Sequence, residues 1–326
     1  ATHDQLISLL PGGTPISRTG VLRNLGIAVE LPPSFQLAYA PPAIPDTPVG
    51  SFAGDDLRLQ TWYGETTLSP NDTQMPVTLI WSPQRRIGHD YAATLQLLTQ
   101  DYQGIAEINH LIDRWLFPPR LWQSTDAVPD SYLLSLSSPL APGAYRLALS
   151  LYFASYPLMP AASIYPSDLT DKATIGWIKV PQTQPVSIPV AALPVNATIA
   201  DALALDAALV HRDADGMCHV DLYWRALTER PPFDATIFVH LADSSGTIIA
   251  QQDSRPWNGQ YPTFIWGKDE LVQTSHTLAC GDLSAGETLT VGMYTFPGPR
   301  NLPATIGGAA LANGIIPLGS LEDLAQ

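Results

Sequence analysis

Two aromatic clusters hold the side chains best suited to gripping a ligand. Trp115, Phe117 and Trp122 lie in one short segment with Pro118, Pro119 and Arg120. Trp257, Asn258, Tyr261, Phe264 and Trp266 lie in another with Pro256, Gly259 and Pro262. Rings on proline-stiffened loops can stack on the apolar face of a sugar while amides and guanidinium groups meet its hydroxyls. Arg255, Asn258 and Gln260 would be the polar partners here. The same rings also suit a plug over the open end of a hydrophobic core. On the binding reading, the ligand-contacting residues are Trp115, Phe117, Trp122, Trp257, Asn258, Tyr261 and Trp266.

The chain has two cysteines, Cys218 and Cys280. Cys218 begins a predicted strand and Cys280 ends another. Antiparallel neighbours set one start beside the other's end, which permits a disulfide. Two separate buried thiols are the alternative. A disulfide would imply an oxidising compartment.

Catalytic motifs are not found. The sequence has no G-x-S-x-G elbow, no phosphate-binding loop and no G-x-G-x-x-G fingerprint. His211, Asp213, Asp215 and Gly216 resemble half of a calcium loop, but the twelfth position from Asp213 is Trp224 rather than Glu. The segment reads as a polar hairpin turn or a cation site. His219 and Cys218 are neighbours on a strand and so point to opposite faces, which argues against zinc. The acidic pairs Asp55–Asp56, Asp269–Glu270 and Glu322–Asp323 look like solvated turn residues rather than a glycosidase pair. His240 sits mid-strand and is expected to bond a neighbouring loop or to face a ligand. His89, His110 and His276 form no cluster in sequence. No catalytic residue, metal ligand or cofactor is assigned. The sequons at Asn71 and Asn196 are read as turns.

The elements that must position these residues come from a long internal repeat. Val77–Trp81 (VTLIW) returns as Val220–Trp224 (VDLYW), and Tyr91–Glu107 matches Ala235–Gln251. Leu121-Trp122 is echoed by Ile265-Trp266, and Gly143–Tyr152 by Gly286–Tyr294. Solenoid units run roughly 20–50 residues, so this longer period indicates a duplicated domain. The 326-residue length fits two domains. Short β-rich runs between turn residues predict an all-β chain of two tandem antiparallel β-sandwiches, immunoglobulin-like or jelly-roll-like. The expected layout is a Pro-rich arm over 1–50, a first sandwich over 51–180, a Pro-rich linker over 181–195 and a second sandwich over 196–326. The best helix signal is Ile105–Arg114, and one C-terminal turn is expected after Leu321.

Composition removes whole classes of function. A formal net charge of −14 with 16 basic residues excludes the clustered cations that nucleic acid requires. No apolar run reaches the roughly 18–20 residues of a spanning helix. The chain starts at Ala1 without a signal peptide, and reads as a mature form or as a soluble piece of something larger.

The segments VDLYWRAL at 220–227, 233–272 from FDATIFVHL to GKDELV, and LSAGETLTVGMY at 283–294 carry a family resemblance. They resemble β-sandwich modules in the extracytoplasmic C-terminal region of bacterial multi-spanning membrane proteins related to dolichyl-phosphate-mannose-type glycosyltransferases. The likeness covers 196–320 well and 52–180 more loosely. The first copy departs from it: Gln96 stands where the second has His240, and Tyr102 where it has Gly246. The resemblance brings no catalytic residues, and any active site would lie outside this chain. It implies a non-catalytic structural or interaction module at the bacterial cell surface, with other envelope proteins or further copies of itself as partners. The alternative is a carbohydrate-binding accessory region contacting polysaccharide.

Overall fold

The computed structural model describes residues 49–52, 57–112, 118–137, 139–154, 159–160, 172–280, 286–297 and 300–324. Apart from Val49 and Gly50, the expected N-terminal arm lies outside them. The protein is all-β, built of antiparallel sheets packed against each other, and it divides into two compact units near Val180/Pro181.

The first unit contains β1 (Gly50–Phe52), β2 (Leu57–Gly64), β3 (Gln74–Pro83), β4 (Tyr91–Leu98), β5 (Gly104–Leu111), β6 (Val128–Ser135), β7 (Gly143–Phe153), β8 (Met159–Pro160) and β9 (Ala173–Val180). One sheet runs β1-β2-β3-β6. The other runs β5-β4-β7-β8, with β9 also on β7. Alternation along the strands decides which face is buried. Met75, Val77, Leu79 and Trp81 of β3 turn inward, as do Leu95 and Leu97 of β4 and Leu147, Leu149 and Leu151 of β7.

The second unit contains β10 (Leu193–Ile199), β11 (Leu203–Arg212), β12 (Met217–Ala226), β13 (Ala235–Ala242), β14 (Ile248–Ser254), β15 (Leu271–Ala279), β16 (Thr288–Thr295), β17 (Arg300–Asn301), β18 (Ala304–Ile306), β19 (Ala309–Ala310) and β20 (Ile316–Ser320), closed by the short helix α1 (Leu321–Leu324). Its sheets run β15-β12-β11-β10-β18-β19 and β14-β13-β16-β17, with β20 on β16. Cys218, Val220, Leu222 and Trp224 face Ile237, Val239, Leu241, Leu289, Val291 and Met293 in a core of the same plan.

The two units correspond in detail. The order β2-β3-β6 recurs as β11-β12-β15, and β5-β4-β7-β9 as β14-β13-β16-β20. Trp81 pairs with Leu59 and Val128, as Trp224 pairs with Leu205 and Val272. A bulge follows Leu59 in one unit and Leu205 in the other. Another lies at Leu97/Leu98 and again at Leu241/Ala242. A bulge adds one residue to one strand and shifts the facing pattern. It accounts for the break in alternation between Leu59 and Trp62.

Three expectations are corrected or refined. The predicted helix over Ile105–Arg114 is strand β5 as far as Leu111, because pairing with β4, interrupted only by the bulge at Leu97/Leu98, overrides a weak local propensity. The Pro-rich linker packs on the second unit. Gln182 donates to the Leu271 carbonyl at 3.1 Å, Val186 and Ala192 pack on Ala207 and Tyr223, and the linker's end enters β10. Asn196 lies at a bulge inside β10, with φ 54°, rather than in a turn.

Candidate functional site

The second aromatic cluster connects β14 to β15, the edge strands of the two sheets of the second unit. Pro256 and Pro262 each start a short 3-10 segment or lead into one. Trp266 caps the second of these and is fully buried, its indole N–H donating to the Tyr261 carbonyl at 2.9 Å. Tyr261 is equally buried, and its hydroxyl donates to Glu270 Oε1 at 2.5 Å. Burial, with the Glu270 carboxylate beside it, pushes the Tyr261 phenol far above its ordinary range. Glu270 also accepts the Gly267 N–H at 2.7 Å. Thr263 links Phe233 to Ala235, donating at 2.6 Å to the carbonyl of one and accepting at 3.1 Å from the N–H of the other.

These contacts correct the binding assignment for three residues. Tyr261 and Trp266 present no ring face to solvent, and Trp122 is 2% exposed. Trp122 caps a 3-10 turn, Pro119–Leu121, as Trp266 caps Thr263–Ile265, so both are plugs at equivalent places. An apolar ring beside an open sandwich end gains more by covering the core than by facing water. Trp115 and Phe117 lie outside the described residues.

Trp257 and Asn258 behave differently. Both adopt left-handed backbone, at φ 50° and 55°, and Gly259 follows at φ 90°. Trp257 remains half-exposed. Its N–H donates to the Gln273 carbonyl at 2.9 Å, and its ring packs on Tyr261 with centroids 4.7 Å apart. Beside it opens a groove of about 360 Å3 lined by Ser254, Trp257, Asn258, Gln273, Thr274 and Ser275. The groove carries hydroxyls and amides but no charged side chain. Arg255, a proposed polar partner, pairs with Asp234 instead. Behind the groove, Thr274 accepts the Trp224 indole N–H at 2.9 Å and contacts His276 at 3.3 Å. His276 is 1% exposed, and burial lowers its pKa to about 4, against the opposing pull of Asp221 and Asp253.

At the same register of the first unit stand Asp130 and Tyr132, where the second has Thr274 and His276. Asp130 is 2% exposed and accepts the Tyr132 hydroxyl, while His110 stacks on Tyr132 at 4.1 Å and approaches Asp130 at 4.0 Å. His110, separated from these two in sequence, is brought in by β5.

The other candidates resolve locally. Cys218 and Cys280 form a disulfide with Cα atoms 5.8 Å apart. Asp213 closes the β11–β12 hairpin: its carboxylate accepts the N–H groups of Asp215 and Met217 at 3.0 and 2.9 Å and meets His219 at 3.0 Å. The His219 hydrogen bond, followed by that of Met217, lowers the Asp213 pKa. His240 pairs with Asp253 of the adjacent strand at 3.2 Å rather than with a loop. Glu270, expected to be a solvated turn acid, is the hub of the plug. Sequence reading missed Ser254, Gln273 and Ser275. Their polar alternation along β14 and β15 was the available signal, but only the fold sets the two strands beside Trp257. Among the described residues, no helix is long and apolar enough to cross a membrane. No family model matches the chain, and no curated protein matches it.

Proposed function

We propose that this chain is a non-catalytic structural and interaction module at the bacterial cell surface, outside the cytoplasm. One observation carries the reading: among the described residues, three of the four aromatic side chains nominated for binding, Trp122, Tyr261 and Trp266, are built into the fold, while apolar side chains stand exposed at a sheet edge. Ile248 and Ile249, at 48% and 49% exposure, begin β14, which ends its sheet. Edge strands are natural templates for association with another chain. The Cys218–Cys280 cross-link supports an oxidising compartment. Shared strand order and bulges support descent of both units from one duplicated segment.

The test is cross-linking on intact cells with a membrane-impermeant reagent, comparing the wild type with I248K/I249K. The reading expects adducts that the variant loses, and no free thiol in protein denatured directly from cells. Two free thiols would place the protein in a reducing compartment, and adducts unaffected by the substitutions would move the interface elsewhere.

A further inference from the structure

We propose that the groove between Ser254–Asn258 and Gln273–Ser275 is a subsite for one neutral pyranose ring of a glycan, stacked on Trp257. This goes beyond the interaction role and does not depend on it. A pyranose offers an apolar C–H face and a rim of hydroxyls, and the groove offers the complement of each. Trp257 is the platform. Its indole is held by the Gln273 carbonyl at 2.9 Å and by the Tyr261 ring at 4.7 Å, so little motion remains to be lost on binding. The rim is met by Ser254, Asn258, Gln273 and Ser275, which together donate and accept hydrogen bonds.

Charge selects among ligands. No cation lines the groove to hold an anionic sugar, and Arg255 is engaged by Asp234. No carboxylate lines it to hold a cation, and the nearby Asp221 accepts the Ser275 hydroxyl at 2.6 Å. The volume of about 360 Å3 lies at the small end of ligand sites, which suits one ring of a longer chain. Trp257 and Asn258 both sit in left-handed conformation and Gly259 follows, a tight turn that sets the indole and the amide side by side at the groove.

The experiment titrates the full chain with cellotetraose, xylotetraose, mannotetraose and chitotetraose, and with tetragalacturonate as the anionic control. Tryptophan emission and calorimetry give the readout. At least one neutral tetramer should bind with a dissociation constant of about 1 mM or tighter. Trp257→Ala should weaken it by about tenfold or more. Asn258→Gly keeps the left-handed backbone and removes only the amide, so it should weaken binding without lowering the unfolding midpoint. The proposal is overturned if no neutral tetramer binds, if both variants bind as the wild type does, or if tetragalacturonate is preferred.

Discussion

Positions 75 and 136 of the first unit and 218 and 280 of the second meet the same burial requirement in two ways. The Leu136 N–H donates to the Thr73 carbonyl at 2.8 Å, and the Cys280 N–H donates to the Gly216 carbonyl at 3.0 Å. Met75 and Leu136 are 0% and 8% exposed, and Cys218 and Cys280 are 1% and 5%. One unit fills the site with dispersion contacts, the other with a covalent bond. The architecture therefore does not depend on the disulfide, which is an added constraint on a fold that already closes without it.

The largest expected effect tests the part the units share. Trp81 and Trp224 are wholly buried at equivalent registers. Replacing either with Ala should cost its own unit about 3–5 kcal/mol. In urea unfolding followed by two probes, each variant should displace a different transition. A single transition displaced equally by both would break the correspondence.

Next comes the difference itself. The Cys218–Cys280 loop spans 62 residues, for which loop-closure entropy gives about 4 kcal/mol at room temperature. C218S/C280S should lose about that much, and C218M/C280L should recover part of it by restoring apolar volume. The reciprocal M75C/L136C should form a disulfide in the first unit, seen as the loss of two hydrogens by mass spectrometry. Persistent free thiols there would show that the equivalence stops at the backbone.

The paired strands were legible because each repeats a period-two pattern twice, so a weak run in one copy was read through its partner. The proximity of Cys218 and Cys280 was legible from strand ends, but those ends left both a disulfide and two separate buried thiols open. The groove beside Trp257 was not legible. Trp257 resembles Tyr261 and Trp266 in type and neighbourhood, and only the packing that buries the latter two completely, while leaving Trp257 half-exposed, separates them. Strand β5 was misread because Ile105, Ile108 and Leu111 also fit a helical stripe, and β4 decides between the two. His110 beside Asp130 was invisible because the two reside on separate strands.

Acid should separate the units further. His276 has its pKa lowered from 6.5 to about 4 by burial, whereas Tyr132 occupies the equivalent place in the first unit. The unfolded chain takes up the proton first as pH falls through 6.5, so protonation favours unfolding. Stability tied to His276 is complete above that pH and declines until about pH 4, by on the order of 3 kcal/mol. His276→Phe should remove this component of the pH profile of the second unit. An unchanged profile would assign acid sensitivity to the carboxylates.

The smallest expected effect concerns one hairpin residue. Thr99 bonds Gln103 across the turn of β4–β5, and Asp243 bonds Thr247 across that of β13–β14. Within these turns Tyr102 and Gly246 take the same left-handed backbone, φ 65° and 84°. The departure of Tyr102 from the repeat is thus a change of residue without a change of conformation. A side chain in this region costs about 1 kcal/mol, which glycine avoids. Tyr102 is compensated by Arg146, whose guanidinium lies 4.5 Å from its ring and 4.4 Å from that of Trp177. Such a contact contributes about 0.5–1 kcal/mol at an exposed site. Tyr102→Gly should therefore change the urea midpoint of the first unit little, since relief of strain and loss of the stack oppose each other. Gly246→Tyr gains no such partner and should destabilise the second unit by about 1 kcal/mol. If Tyr102→Gly instead stabilised its unit by the full amount, the Arg146 stack would contribute nothing. The first unit would then be holding its left-handed tyrosine uncompensated.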